Sequence, residues 1–130
     1  MLLKHQFFND YSETAHPACL QAVAHKSEQQ QIGYGLDEIS ARARDLIQAQ
    51  IHAPAAEIHF CSGGTQANLT VIGSMLRPHE AVIAVESGHI ATHETGAIEA
   101  TGHKIIHVPH ANGKLTPEAI ARALTTHPNE

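Results

Sequence analysis

The chain has 130 residues, 42% hydrophobic and 16% charged, a balance that suits one globular domain with its own core and excludes a disordered tail. A formal charge of −5, with only eight lysines and arginines, leaves no basic stripe for nucleic acid and too few cations for an acidic membrane surface. Aromatic residues make up 4% and tryptophan is absent, so the core is expected to be alanine, isoleucine, leucine and valine.

Residues 1–15 read as extended and polar, with a loop over 9–14. Met1–Gln6 has no apolar h-region, so no secretory signal is expected there. A helix is predicted over 16–30, with Pro17 in its first turn and Ala18, Leu20, Val23 and Ala24 inward. Gly33-Tyr34-Gly35 breaks it. A second helix is predicted over 37–50, with Asp37 as cap and Leu36, Ile39, Ala43, Leu46, Ile47 and Ile51 at spacings of three and four. Residues 57–61 read as a short strand. A helix over 65–76 is ended by Arg77-Pro78. Ala81–Val85 is almost wholly apolar, as in a strand covered on both faces. A helix over 89–101 with Gly102 as its stop, a strand over 103–108, and an Asn112-Gly113 turn follow. Thr116-Pro117-Glu118 opens a last helix reaching about Thr125. From residue 57 the order is strand, helix, strand, helix, strand, helix. That order predicts an α/β fold with a parallel sheet between two helical layers.

Ser62-Gly63-Gly64-Thr65 joins a strand end to a helix start. Glycines let a ligand approach the backbone, and a helix opening at Thr65 aims free N–H groups and its positive dipole end at one point. This suits a phosphate, although the same turn serves ordinary strand-to-helix connections. It is neither the dinucleotide fingerprint nor a P-loop, because no Gly-Lys-Ser/Thr follows and no acidic residue stands where a ribose would need one. His89 follows the apolar strand through Glu86-Ser87-Gly88. Ligands of open α/β sheets sit at the carboxyl ends of strands, so His89 is expected on the edge that carries the glycine turn. An imidazole there could stack on a flat ring or move a proton; a capping or surface histidine is the plain alternative. His89 and His93 have metal-ligand spacing, but the segment is not HExxH and no metal is assigned. Cys61 sits beside the helix start, which could activate a thiol, but reads as a buried strand-end cysteine. Cys19 and Cys61 lack CxxC spacing and suggest free thiols in a reducing compartment; with no run of membrane-span length, the cytoplasm is the expected location. Twelve histidines make the charge sensitive to pH near neutrality.

Five segments in order resemble the threonine aldolases, within the wider group of pyridoxal-phosphate β-eliminating lyases. They are Asn9-Asp10-Tyr11 with Ala15-His16-Pro17; Tyr34-Gly35-Leu36-Asp37; Phe60 through Asn68; Gly88-His89-Ile90 with His93 through Ala97; and Lys104 through Lys114. The resemblance implies part of the large domain of a fold-type-I enzyme. Residues 1–36 would be an N-terminal arm and helix with the substrate loop, and 37–130 part of the cofactor-binding domain. It implies that Gly63, Gly64 and Thr65 hold the phosphate of pyridoxal 5′-phosphate and that His89 stacks on its ring and assists proton transfer. Asn9 and Tyr34 would lie by the substrate; Asn9 departs from the serine usual in the family. The implied reaction is retro-aldol cleavage of threonine or a related β-hydroxy-α-amino acid to glycine and an aldehyde, in a homo-oligomer. None of Lys4, Lys26, Lys104 and Lys114 stands where the family has its Schiff-base lysine. The chain therefore reads as the N-terminal portion of a longer enzyme, inactive by itself. The competing expectation is a non-catalytic α/β module, holding a phosphorylated ligand or a partner chain at the glycine turn.

Overall fold

The structure is a computed structural model and describes residues 8, 9 and 11–127. Residues 1–7, expected to be extended, lie outside the described residues, as do Asp10 of the first motif and residues 128–130. The chain divides into two compact units, Met1–Ile58 and His59–Glu130.

The first unit holds helices α1, Pro17–Lys26, and α2, Glu38–Gln50. Pro17 takes the first helical position of α1, and His16 caps it through Nδ1, which accepts from the Ala18 amide at 3.2 Å. The expected run to Gln30 stops at Lys26. The Ser27 hydroxyl takes the Ala24 carbonyl at 2.8 Å, and the Ser27 amide turns to the same oxygen, so the ladder closes there. The residues expected to face inward do not reach a core: Leu20 is 51% and Val23 69% exposed, and no residue of α1 or α2 is buried. The three-and-four spacing of α2 is present, but its apolar residues stay largely exposed among the described residues, Ile39 at 48% and Leu46 at 61%.

The α2 cap is Asp37, whose Oδ1 accepts from the Ser40 amide at 2.8 Å and whose Oδ2 accepts from the Ser40 hydroxyl at 2.7 Å. The hydroxyl bond above all, and then the amide bond, hold the Asp37 carboxyl below its ordinary value of 3.8. Because the folded value is the lower one, the cap's contribution is fully present above the ordinary value. It is lost as pH falls through the depressed one. Helix content followed by circular dichroism should therefore fall across the acid range. Asp37→Asn should flatten that step, since an amide caps without titrating.

The second unit is three-layered. Strands β1, Ala81–Val85, and β2, Lys104–Val108, pair in parallel, from Ala81 beside Lys104 to Val85 beside Val108. Alternation divides their side chains between two faces. On one face, Ala84, Ile105 and Ile98 are buried, with Ile72, Val82 and Ile90 packed against them. On the other, Val108 meets Ala119 and Ala123, with Ile83, Val85 and Ile106 alongside. Ile72 belongs to α3, Gly64–Met75, and Ile90 to the short α4, His89–Thr92. Ala119 and Ala123 belong to α5, Pro117–Thr126, capped by Thr116 Oγ1, which accepts from the Ala119 amide at 3.2 Å. This is the expected α/β/α layering, with a two-stranded sheet.

Three expectations need correction. Residues 57–61 form no strand: a strand exists by pairing, and no described strand lies beside this segment. Cys61, expected to be a buried strand-end cysteine, is exposed. The helix expected over 89–101 ends at Thr92. Thr95 (φ 53°) and Gly96 (φ 76°) are left-handed, which no α-helix tolerates, and a 3-10 turn over Glu99–Thr101 leads to the left-handed Gly102. Asn112 (φ 52°) and Gly113 (φ 76°) form the expected turn, a tight two-residue hairpin with Ala111 and Lys114 exchanging both backbone bonds at 3.1 Å. Among the described residues no helix is long and apolar enough to cross a membrane.

Candidate functional site

The glycine turn lies where it was expected, at the start of a helix. Gly63 is the cap residue of α3, with extended backbone (φ 178°, ψ 174°), and Gly64 is its first residue. Ser62 is already engaged: Gln66 Oε1 accepts from its amide at 2.6 Å and from its hydroxyl at 2.9 Å. The Gln66 side chain thus reaches back over the helix start, as in one half of a capping box. It fixes the turn and leaves the next amides alone. The N–H groups of Gly63, Gly64 and Thr65 meet no acceptor among the described residues.

Neither glycine is demanded by the chain itself. Neither has a left-handed φ, and a Cβ built on either meets nothing within 4 Å. A position that excludes side chains for no internal reason, beside three free amides at a positive dipole end, forms a cradle that a tetrahedral anion fits and a Cβ would begin to fill. The residues present therefore suit a phosphate group.

His89 is delivered by the loop that follows β1. Gly88 caps α4 and packs tightly on the strand end. A Cβ there would stand 2.9 Å from the Val85 carbonyl oxygen, and the Gly88 amide donates to that oxygen at 2.8 Å. Glycine is required at this point by a close approach, and it places His89 at the carboxyl end of the strand. The His89 side chain is 63% exposed, whereas that of Glu94 is wholly buried, and Nδ1 of the one lies 2.7 Å from Oε1 of the other. The same Oε1 accepts from Asn68 Nδ2 at 2.6 Å. Asn68 sits on α3 four residues beyond Gly64, about 6 Å along the axis. Glu94 thus ties His89 to the helix that carries the glycine turn, one turn beyond Gly64.

Asn9 and Tyr34 lie in the first unit. Asn9 Oδ1 accepts from the Tyr11 amide at 3.0 Å in a local turn. Tyr34 is left-handed (φ 63°), with its phenol fully exposed. The rings of His89 and His93 stand 5.6 Å apart and tilted by 59°. Among the described residues no group of three or more His, Cys, Asp and Glu side chains is placed to hold a metal ion. The pairing of Asn68 with Glu94 was not read from sequence. Its one signal is an acidic residue in a segment that otherwise turns apolar and small side chains to the core.

The sequence profile of the beta-eliminating lyases matches residues 10–129. The low specificity L-threonine aldolase of Pseudomonas aeruginosa is 32% identical over 88% of this chain, and that of a Pseudomonas sp. strain 31% identical over the same share. A solved structure of Leishmania major threonine aldolase is 49% identical and superimposes with a TM-score of 0.88 over 95% of this chain. The chain spans 34% of the length of the two Pseudomonas enzymes and 36% of the Leishmania chain.

Proposed function

The chain belongs to the beta-eliminating lyase family, and from that premise we propose that it supplies the phosphate-holding and ring-facing part of a pyridoxal-phosphate carbon–carbon lyase. The substrate is threonine or a related β-hydroxy-α-amino acid, cleaved to glycine and an aldehyde. One observation carries the reading: three amides with no partner among the described residues form a glycine cradle at the start of the helix that Glu94 joins to His89. Gly63, Gly64 and Thr65 hold the phosphate through their N–H groups, with the Thr65 hydroxyl as a further donor. His89 stacks on the pyridine ring and accepts the proton of the substrate's β-hydroxyl as the Cα–Cβ bond breaks. Pyridoxal phosphate, when bound, supplies the electron sink for that bond pair.

The reacting lysine, on this reading, lies outside the 130 residues. Lys104 opens β2 at the amino end of the sheet, the end away from His89. The exposed apolar side chains of α1 and α2, Leu20, Val23, Ile39 and Leu46 among them, support assembly into a larger homo-oligomer. The free, exposed thiols of Cys19 and Cys61 support a cytoplasmic setting.

Joined in frame to the remainder of the Pseudomonas aeruginosa relative, these residues should convert threonine to glycine and acetaldehyde. His89→Asn in that chimera should lower kcat/KM by about a hundredfold. A folded, cofactor-loaded chimera that leaves threonine intact would contradict the proposal. Glycine formed by the 130 residues alone would contradict the external lysine.

A further inference from the structure

Glu94 is a buried carboxylate in an arrangement that packing does not explain. Its side chain is fully removed from solvent, both of its hydrogen bonds fall on Oε1, and Oε2 has no partner among the described residues. Burying a carboxylate with one oxygen unmet is unfavourable, and an apolar side chain at this position would avoid that penalty. The backbone is strained to place it. Immediately after Glu94, the β-branched Thr95 takes φ 53°, a conformation that Gly96 at φ 76° adopts freely and threonine does not. A helix continued through His93 would have carried residue 94 elsewhere. The turn at Thr95–Gly96 ends the helix and sets the carboxylate against His89 and Asn68.

We propose that Asn68 and Glu94 are positioning residues that fix His89 in its Nδ1–H tautomer. The proposal rests on the lyase reading for its purpose, though not for its geometry. Asn68 Nδ2 can only donate, so Oε1 is the acceptor in that bond and is oriented by it. A carboxylate oxygen so oriented, 2.7 Å from Nδ1, accepts from Nδ1–H. A neutral imidazole protonated at Nδ1 carries its lone pair on Nε2, on the far side of the ring, where no described residue bonds it. That atom can then take a substrate hydroxyl proton: the O–H bond breaks, an Nε2–H bond forms, and the resulting imidazolium is balanced by the Glu94 carboxylate. The other tautomer would present an N–H to the hydroxyl and could accept nothing. Asn68 adds a mechanical link. It is one turn from Gly64, so the helix whose first amides form the cradle also sets the orientation of the ring.

The test is nitrogen-15 NMR of the imidazole side chains of the chain, at a pH where His89 is neutral. The His89 signals among the twelve histidines are identified by their loss in His89→Asn. Neutral imidazole in water favours the Nε2–H form. The wild-type chain should instead show Nδ1–H in roughly tenfold excess. Glu94→Ala should return His89 to the Nε2–H form. Should Glu94→Ala fail to fold, the wild-type spectrum decides alone, since predominant Nε2–H there overturns the proposal. An unchanged tautomer in folded Glu94→Ala overturns it as well. A cofactor titration separates this idea from the reading it rests on. Failure of the folded chimera to bind pyridoxal phosphate, with Nδ1–H predominant in the chain, would sink the lyase reading and leave the positioning pair standing. Nε2–H in the wild type would sink the pair whether or not the cofactor binds.

Discussion

Replacing Ile98 with alanine should lower the unfolding free energy by about 3 kcal/mol, a large share of the total stability of a domain this size. Ile98 has no exposed surface, and it fills the space between the sheet face of Ala84 and Ile105 and the helices that bring Ile72 and Ile90. Truncation removes its transfer free energy and leaves a cavity whose walls, two strands and two helices, cannot all close on it. The neighbouring partly exposed residues offer a contrast. Val71, 53% exposed on the same helix as Ile72, should change stability by less than about 0.5 kcal/mol when cut to alanine. Urea melts of the two variants check both numbers. Equal effects would show that Ile98 does not anchor the core. Because Ile98 lies four residues beyond Glu94, its loss should also loosen the turn that presents the carboxylate to His89.

Gly64→Ala should act in the opposite direction on stability and strongly on binding. Gly64 begins α3 with no left-handed φ, and an added Cβ meets nothing within 4 Å, so alanine fits and improves helix propensity. The folded state should gain roughly 0.5 kcal/mol. The new methyl group stands beside amides that must approach a phosphate oxygen within hydrogen-bond distance, and affinity for pyridoxal phosphate should fall at least about tenfold. A thermal melt of the chain and a cofactor titration of the chimera by absorbance check the pair of effects together. A glycine kept only for the turn would show the reverse: stability lost and affinity unchanged. Gly88 is a glycine of that second kind, since its Cβ would collide with the Val85 carbonyl.

The sequence made some features legible because their causes are local. The apolar run Ala81–Val85 is a strand wherever it is covered, and the structure covers it on both faces. Asn112-Gly113 supplies the two left-handed residues a tight hairpin needs, and Thr116-Pro117 supplies a cap and a first residue. The segment 57–61 was misread for the converse reason. Its residues favour extended backbone, but a strand requires a neighbour, and propensity carries no information about one. The helix over 89–101 failed at Thr95-Gly96, a pair that periodicity passed over because the apolar spacing continues on either side. In the candidate site, the glycine turn and His89 could be read, since each declares its chemistry within a few residues. Asn68 and Glu94 are 26 residues apart, and only the fold brings them to one hydrogen bond. The exposed stripes of α1 and α2 show another limit: spacing identifies an apolar face, but not what covers it.

The account stands or falls on whether the first amides of α3 receive a phosphate. The direct measurement is the proton–nitrogen spectrum of the chain titrated with pyridoxal phosphate, inorganic phosphate and phosphate-free pyridoxal. The amides of Gly63, Gly64 and Thr65 should move together and saturate with the two phosphate-bearing ligands and stay in place with pyridoxal. Binding of pyridoxal phosphate that leaves those three amides unmoved, or movement that pyridoxal reproduces, would contradict it.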